Sequence, residues 1–508
     1  MRRLGWMALA LGLALARAAW AEDPVGDWTG ALTSPGATVN LALHIRRGAG
    51  GVLGATLDSP DQGFGDIPVP TVTATGTTLS LSIPLLHSAY KASWDAAGRK
   101  WIGTWTQSAP LPLVLTRGLP PRPAPTCPET ASSAAPTTGP KWCDILIWTP
   151  GQQAAAYRAM DRSFDVRTVH RGGSVAQLPH LPRPLAPAFQ VEGETWTMDD
   201  FMRRAHVAGV LVLKGGAVWL EGYGLGMRPG DRWIGFSVTK SVTSTLIGAA
   251  IEDGAIKSLD AAVTDYLPEL KGGAYDGVTV RQLITMTTGV RWNENYGDPK
   301  ADIANYDRGA PGPNGESPVL AYMAKLPRAA PPGTRFNYST GDATLAGLLV
   351  ARATHKSLSD YLSEKIWSRL GMETDAAWVL QHGTAQEQGG WGLSMDLRDE
   401  GRLGLFVLDG GVIGGRRVLP EGWVADASAN HIEGRPPGQG YGYYWWMRPV
   451  GFSAVGVYGQ SLYIDPQDRL VVVIQSAWPF TSDVLAGEAQ TAFLTAVVQA
   501  ARAPQPLK

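Results

Sequence analysis

Phe236-Ser237-Val238-Thr239-Lys240 is the stretch on which the reading of this chain turns. It opens a helix candidate, Ser237 to Glu252, that Gly254 stops, glycine lying just past the end. Positions three apart on a helix share a face, so Ser237 and Lys240 stand side by side on the first turn. A serine hydroxyl is a weak nucleophile until a base takes its proton. A lysine becomes such a base once burial or a nearby positive end lowers its pKa. The helix N-terminus adds backbone N–H groups and a positive dipole end, both suited to an oxyanion. A bare S-x-x-K equally describes a solvated lysine one turn after an N-cap serine, so its weight depends on the surrounding sequence.

Downstream, Pro331-Pro-Gly-Thr-Arg-Phe-Asn-Tyr338-Ser-Thr340 leads into a Leu- and Ala-rich helix predicted over Asp342 to Ala353. A tyrosine at such a junction can share a proton between a serine and a lysine; alternatively its hydroxyl only satisfies backbone. Further out, Leu211-Val-Leu213, Lys214-Gly-Gly216 and Ala217-Val-Trp-Leu220 read as a hairpin. Val278 to Met286 reads as a short helix with polar Thr at its start. Tyr441 to Met447, Gln460 to Ile464 and Leu470 to Ile474 read as consecutive strands, and Thr481 to Ala501 as a closing helix. Strands at both ends with helices between predict one sheet assembled from distant segments, plus an inserted helical region.

With these pieces in order, residues 144–502 resemble the serine β-lactamase and penicillin-binding-protein superfamily, on its class C and esterase side. The resemblance rests on Trp233-Ile-Gly-Phe-Ser-Val-Thr-Lys-Ser241, Val278-Thr-Val-Arg-Gln-Leu-Ile-Thr-Met-Thr-Thr-Gly289, Phe336-Asn-Tyr-Ser-Thr340 and Ser461-Leu-Tyr-Ile-Asp-Pro466. Within the superfamily, Asn293-Glu-Asn-Tyr296 and Gly459-Gln-Ser-Leu-Tyr-Ile-Asp-Pro466 are similar to the 6-aminohexanoate-dimer hydrolases, amidases of nylon oligomers with carboxylesterase activity. The resemblance implies an α/β (α+β) β-lactamase-like fold, an antiparallel sheet flanked by helices with a helical subdomain. It implies that Ser237 is acylated, that Lys240 is its base or relay partner, and that Tyr338 passes the proton to the leaving group. Which of Lys240 and Tyr338 takes the first proton stays open.

The third family motif is informative by departure. Where β-lactam-handling members carry Lys or His, then Thr or Ser, then Gly, this chain has Ala454-Val455-Gly456. A β-lactam carboxylate loses a charge-assisted partner there, on the order of 1.5–3 kcal/mol. The backbone remains, so the N–H of Val457 is expected to join that of Ser237 in an oxyanion hole. Tyr458 either lines the site or packs. By the same resemblance Tyr296 lies on a loop that closes over substrate, with a surface-packed tyrosine as the alternative. Asp302 and Asp307 follow on that loop and are candidates to meet a substrate ammonium.

The rest of the chain frames this domain. Met1-Arg2-Arg3, the apolar Leu4 to Ala16 and Ala19-Trp20-Ala21 read as a signal peptide over residues 1–21, cleaved before Glu22. The apolar run is too short to cross ~30 Å of hydrocarbon, and Arg17 interrupts it, so no stable membrane insertion is expected after cleavage. The protein is therefore expected to be periplasmic or secreted. In that oxidising setting Cys127 and Cys143 are expected to form a disulfide, worth ~3 kcal/mol for a loop of this size; two inert thiols are the alternative. Residues 22–118 read as a small all-β, lipocalin-like barrel, from the alternation in Val39 to Ile45 and Leu79 to Ile83 and the Trp-bearing segments Gly26 to Gly30 and Gly103 to Gln107. Residues 119–143 are a Pro-rich linker, and 144–508 the hydrolase domain.

Composition closes off other classes. The 44 basic and 45 acidic residues leave a net charge of -1, with no basic excess to neutralise nucleic-acid phosphates. The eight His show no ligand spacing, so no metal is expected. The expectation is an exported serine hydrolase cleaving small-molecule amides or esters through an acyl-enzyme, without cofactor. The alternatives are a β-lactamase or D-alanyl-D-alanine peptidase, and a non-catalytic binding protein that uses the barrel. The sequence leaves the oligomeric state open.

Overall fold

Alternating apolar and polar residues need a sheet with one covered face, and the N-terminal part of the chain builds one. The structure, a computed structural model, describes residues 23–34, 37–120, 145, 148, 150–312, 316–432, 434 and 438–503. The signal segment 1–21, the cysteine pair and nearly all of the linker lie outside the described residues. The chain forms two units: one takes in residues through Ser59 and Ile67–Pro121, the other Pro60–Asp66 and the chain from Arg122 on.

The smaller unit is an up-and-down antiparallel sheet running from the strand Gly26–Ser34 to the strand Pro110–Arg117. Its first strand pairs with both the second and the last, Trp28 lying opposite Leu43 on one side and Arg117 on the other. The inner face is filled by side chains: Trp28, Tyr90, Trp101, Ile45 and Ile83 are fully buried. Trp94 and Trp101 pack at 5.0 Å and Trp28 meets Trp101 at 6.3 Å, so tryptophans fill the interior.

One ionic cluster ties its strands together. His44 Nδ1 lies 2.9 Å from Asp27 Oδ1, and Nε2 lies 2.9 Å from Asp58 Oδ2. Those two carboxylates outweigh the burial of the ring and raise His44 to about 9. A raised histidine stabilises fully below its unfolded value near 6.5 and loses that contribution as pH rises through about 9. Calorimetry of wild type and His44→Asn should therefore show a stability gap at pH 7 that closes by pH 10. A gap independent of pH would mean that His44 acts only by packing.

In the larger unit the predicted hairpin forms from Val207–Lys214 and Ala217–Tyr223. Gly215 (φ 58°) and Gly216 (φ 84°) supply the two left-handed residues its turn needs. Val207–Lys214 also pairs with Leu470–Ser476, which pairs with Gln460–Asp465, which pairs with Phe452–Gly456. Distant segments thus share one antiparallel sheet. Successive residues face opposite layers: Leu211 and Leu213 pack with the helices Val238–Glu252 and Leu397–Leu408, while Val210 and Val212 pack with Phe493 and Val497 of the closing helix Val484–Arg502. A sheet covered on both faces explains strands that are apolar along their whole length. Among the described residues no helix is long and apolar enough to cross a membrane.

The helix Val238–Glu252 is buried all round from Val238 to Ala250. Its hydroxyls bind the chain around it: Ser241 donates to Tyr444 O (2.6 Å), Ser244 to Tyr443 O (2.7 Å), and Thr243 to Gly389 O (2.7 Å). This anchoring overturns one expectation. Tyr441 to Met447 is not a continuous strand; only Trp446–Met447 is. Tyr444 takes a left-handed backbone (φ 62°), Tyr441 folds back to bridge Trp446, and their rings meet at 4.6 Å. The aromatic content favours a strand, but hydroxyls from a distant helix hold the segment as a tight turn.

Candidate active site

Ser237 sits immediately before the helix Val238–Glu252, with φ −68° and ψ −7°. The helix opens with N–H donations from Val238, Thr239 and Lys240 to the carbonyls of Gly235, Phe236 and Ser237, and the N–H of Ser237 is not among them. Phe236 before it is left-handed (φ 44°), a conformation costly for a bulky side chain. Tyr157 and Tyr458 hold its ring, at centroid distances of 5.0 and 5.4 Å. The nucleophile-bearing turn is therefore held by packing from both sides.

Lys240 is 1% exposed. Its ammonium nitrogen lies 2.8 Å from Ser237 Oγ, 2.9 Å from Thr340 Oγ1 and 2.8 Å from Gly390 O. Burial pushes Lys240 down to about 8, against the opposing charge of Glu294. The Tyr338 ring lies 4.9 Å from the same nitrogen, and its phenol interacts with the Ser237 hydroxyl. Withdrawal from water and the Glu294 charge push that phenol far above its ordinary value. Ser237 and Lys240 thus share a helical face as their spacing implies, and Tyr338 joins them as the family resemblance implies.

Local sequence explains how Tyr338 is held. Thr279 and Gln282 form a capping box on the helix Val280–Ile284, as the polar start of that segment foreshadows. Met286 just beyond accepts from the N–H of Asn337 (2.8 Å), and Asn337 Nδ2 donates to Trp292 O (3.2 Å). Ser339 then caps the helix Thr340–Thr354. Tyr338 lies between these fixed points.

The strand Phe452–Gly456 ends against the nucleophile. A Cβ on Gly456 would lie 2.6 Å from Gly235 O and 3.1 Å from Ser237 N, so glycine permits this backbone approach. The turn after it is held by Gln460, 1% exposed, whose amide donates to Val457 O, Tyr458 O and Ser476 O and accepts from Trp233 Nε1. Ala454 is buried and Val455 is half-buried, so this stretch presents no cation. Tyr458 packs inward (1% exposed) against Phe236 and Tyr157, which decides between the two roles left open for it.

Tyr296 reaches the same cluster, its hydroxyl donating to Glu294 Oε1 at 2.7 Å. The two aspartates after it do not serve as free anions. Asp302 accepts from Asn293 N (2.8 Å) and Tyr322 OH (2.6 Å). Asp307 is buried beside Gln388 (2.9 Å), and burial raises it to about 7. Sequence reasoning missed three participants: Thr340, Gly390 O and Glu294. Thr340 and Glu294 both stand in quoted motifs, close to the tyrosines that drew attention. The aromatic turn completes the wall, with Trp446 stacked on Tyr338 at 5.8 Å and Tyr441 6.2 Å from it.

The chain is similar in sequence and fold to known proteins. The family model described as Beta-lactamase matches residues 196–496. The 6-aminohexanoate-dimer hydrolase of Paenarthrobacter ureafaciens is 31% identical over 315 residues, covering 58% of this chain and 80% of that protein. A beta-lactamase of Pseudomonas fluorescens is 26% identical over 186 residues, 35% of this chain and 48% of that protein. A solved structure described as a candidate 6-aminohexanoate-dimer hydrolase from Bacillus anthracis superposes with a TM-score of 0.62 at 23% identity, over 72% of this chain and all of that one, a likeness of fold.

Proposed function

Because the chain belongs to the beta-lactamase family, a serine hydrolase superfamily, we propose that it cleaves small linear amides or esters through an acyl-enzyme on Ser237. One observation carries this reading: the partners of Lys240 leave it a single task. Gly390 O can only accept, and Thr340 Oγ1 accepts because its own proton goes to Glu294. A neutral lysine therefore spends both N–H bonds on these two and turns its lone pair to the Ser237 hydroxyl 2.8 Å away. Lys240 is thus the first acceptor of the serine proton.

In the proposed cycle Ser237 Oγ attacks the carbonyl as Lys240 takes its proton. The tetrahedral oxyanion is held by the N–H groups of Ser237 and Val457. Tyr338 passes a proton to the departing amine or alcohol, and water then frees the acid. The likeness to a 6-aminohexanoate-dimer hydrolase supports linear amides. By the family resemblance, Tyr296 on its loop would help hold the scissile amide. The N-terminal segment supports export to the periplasm or medium, where Cys127 and Cys143 would pair.

Purified protein should turn over p-nitrophenyl butyrate and the linear 6-aminohexanoate dimer. Nitrocefin should be slower than such a chain with a cation at position 454, by about tenfold to a hundredfold, the worth of one charge-assisted hydrogen bond. Nitrocefin turnover faster than that of every ester and linear amide tried would reverse the ranking in favour of a β-lactamase.

A further inference from the structure

Glu294 lies two residues before Tyr296 and is hydrogen-bonded into the catalytic cluster through Thr340 and Tyr296. Its carboxylate accepts from four donors. Trp292 Nε1 and Thr340 N (3.0 Å) reach Oε2, and Thr340 Oγ1 and Tyr296 OH (2.7 Å) reach Oε1. An ionised carboxylate offers about four acceptor positions, so this group is saturated and fixed. Building on the acyl-enzyme reading above, we propose that Glu294 is a positioning residue of acylation: it draws the Thr340 proton to itself, leaves Thr340 as a pure acceptor for Lys240, and so aims the lysine lone pair at Ser237.

A glutamine cannot reproduce this. Its amide oxygen would serve Trp292 and the Thr340 N–H, which cannot reverse. Its amide nitrogen would then face the Thr340 hydroxyl, whose proton must turn away toward Lys240 and compete for the lone pair. Glutamine also removes the negative charge that opposes desolvation of Lys240. The titratable groups facing Glu294 are Lys240 from the nucleophile helix, Tyr296 from its own loop, Tyr338 from the loop before Thr340, and Tyr441 from the aromatic turn, with Tyr306 and Asp342 behind. Of these, burial brings two near the working range: Lys240, lowered to about 8, and Asp342, raised to about 6.

The test is the rate at which a fluorophosphonate labels the full-length protein, read as a function of pH with the adduct located on Ser237 by mass spectrometry. In wild type the rate should rise through about pH 8 to a plateau. Glu294→Gln should lower the plateau by about tenfold or more and move the rising limb to lower pH by about one unit, because the lysine loses its nearby anion. Glu294→Asp keeps the charge and should leave the limb near its wild-type position while the plateau falls. Thr340→Val, which keeps shape and removes the acceptor, should also lower the plateau. An unmoved limb in a folded Glu294→Gln, or labelling of Thr340→Val at the wild-type rate, would overturn the proposal while leaving Ser237 as the nucleophile. A wild type that never labels at Ser237 overturns both readings.

Discussion

Ser237→Ala should hydrolyse p-nitrophenyl butyrate on the order of ten thousandfold more slowly than wild type, or below detection, with an unchanged melting transition. The substitution removes one oxygen from a residue already 6% exposed, leaves the backbone donors of the turn, and creates no large cavity. What it deletes is the atom that forms the acyl bond, and neither nearby partner is free to substitute: Lys240 is held by Thr340 and Gly390, and Thr340 gives its proton to Glu294. Residual turnover would come from binding and the oxyanion donors alone. Full turnover by the folded variant, measured as product release and as intact mass after substrate, would remove Ser237 from the chemistry.

Lys240→Met is expected to have the next largest effect, about a thousandfold loss in kcat/KM, since general-base assistance contributes between 10²- and 10⁴-fold. The pH dependence carries the sign. Burial lowers the lysine to about 8, so it is a cation below that pH and a free base above it, and wild-type kcat/KM should rise with pH through about 8. Methionine has no such titration, so the variant should be slow and lack that limb. Stability responds separately. Between pH 8 and 10.5 the unfolded chain binds the proton that the folded chain has released, so wild type gains stability as pH rises across that window, and the variant should not. At pH 7 the variant sheds a buried charge but leaves Gly390 O and the Thr340 hydroxyl without their donor, terms of opposite sign. A Lys240→Met enzyme that kept both its rate and its limb would transfer the base role to another group.

The parts of the chain that were legible beforehand share a feature: their meaning is local. The hairpin turn at Gly215-Gly216 follows from glycine's freedom at positive φ. The start of the helix at Val280 follows from a Thr and a Gln three residues apart. The end of the nucleophile helix follows from the glycine at 254, just past Glu252. The aromatic turn at Tyr441 to Met447 was not legible, because its density of β-favouring rings is overruled by Ser241 and Ser244, some two hundred residues earlier. Tyr458, Asp302 and Asp307 had the right chemistry for a substrate site, yet each is taken up by neighbours inside the fold.

The amino-acid order by itself determined which residues alternate, which coil, and that a serine and a lysine share one helical face, since these are matters of period and of backbone freedom. Only the folded chain decided what the lysine touches. Gly390 comes 150 residues after it, Thr340 100 after, and the carboxylate that orients Thr340 belongs to a third segment. Nothing in the spacing of such residues carries a signal, because their partnership is created by chain closure. The low dielectric that makes the lysine a base arises only once those segments have excluded water around it.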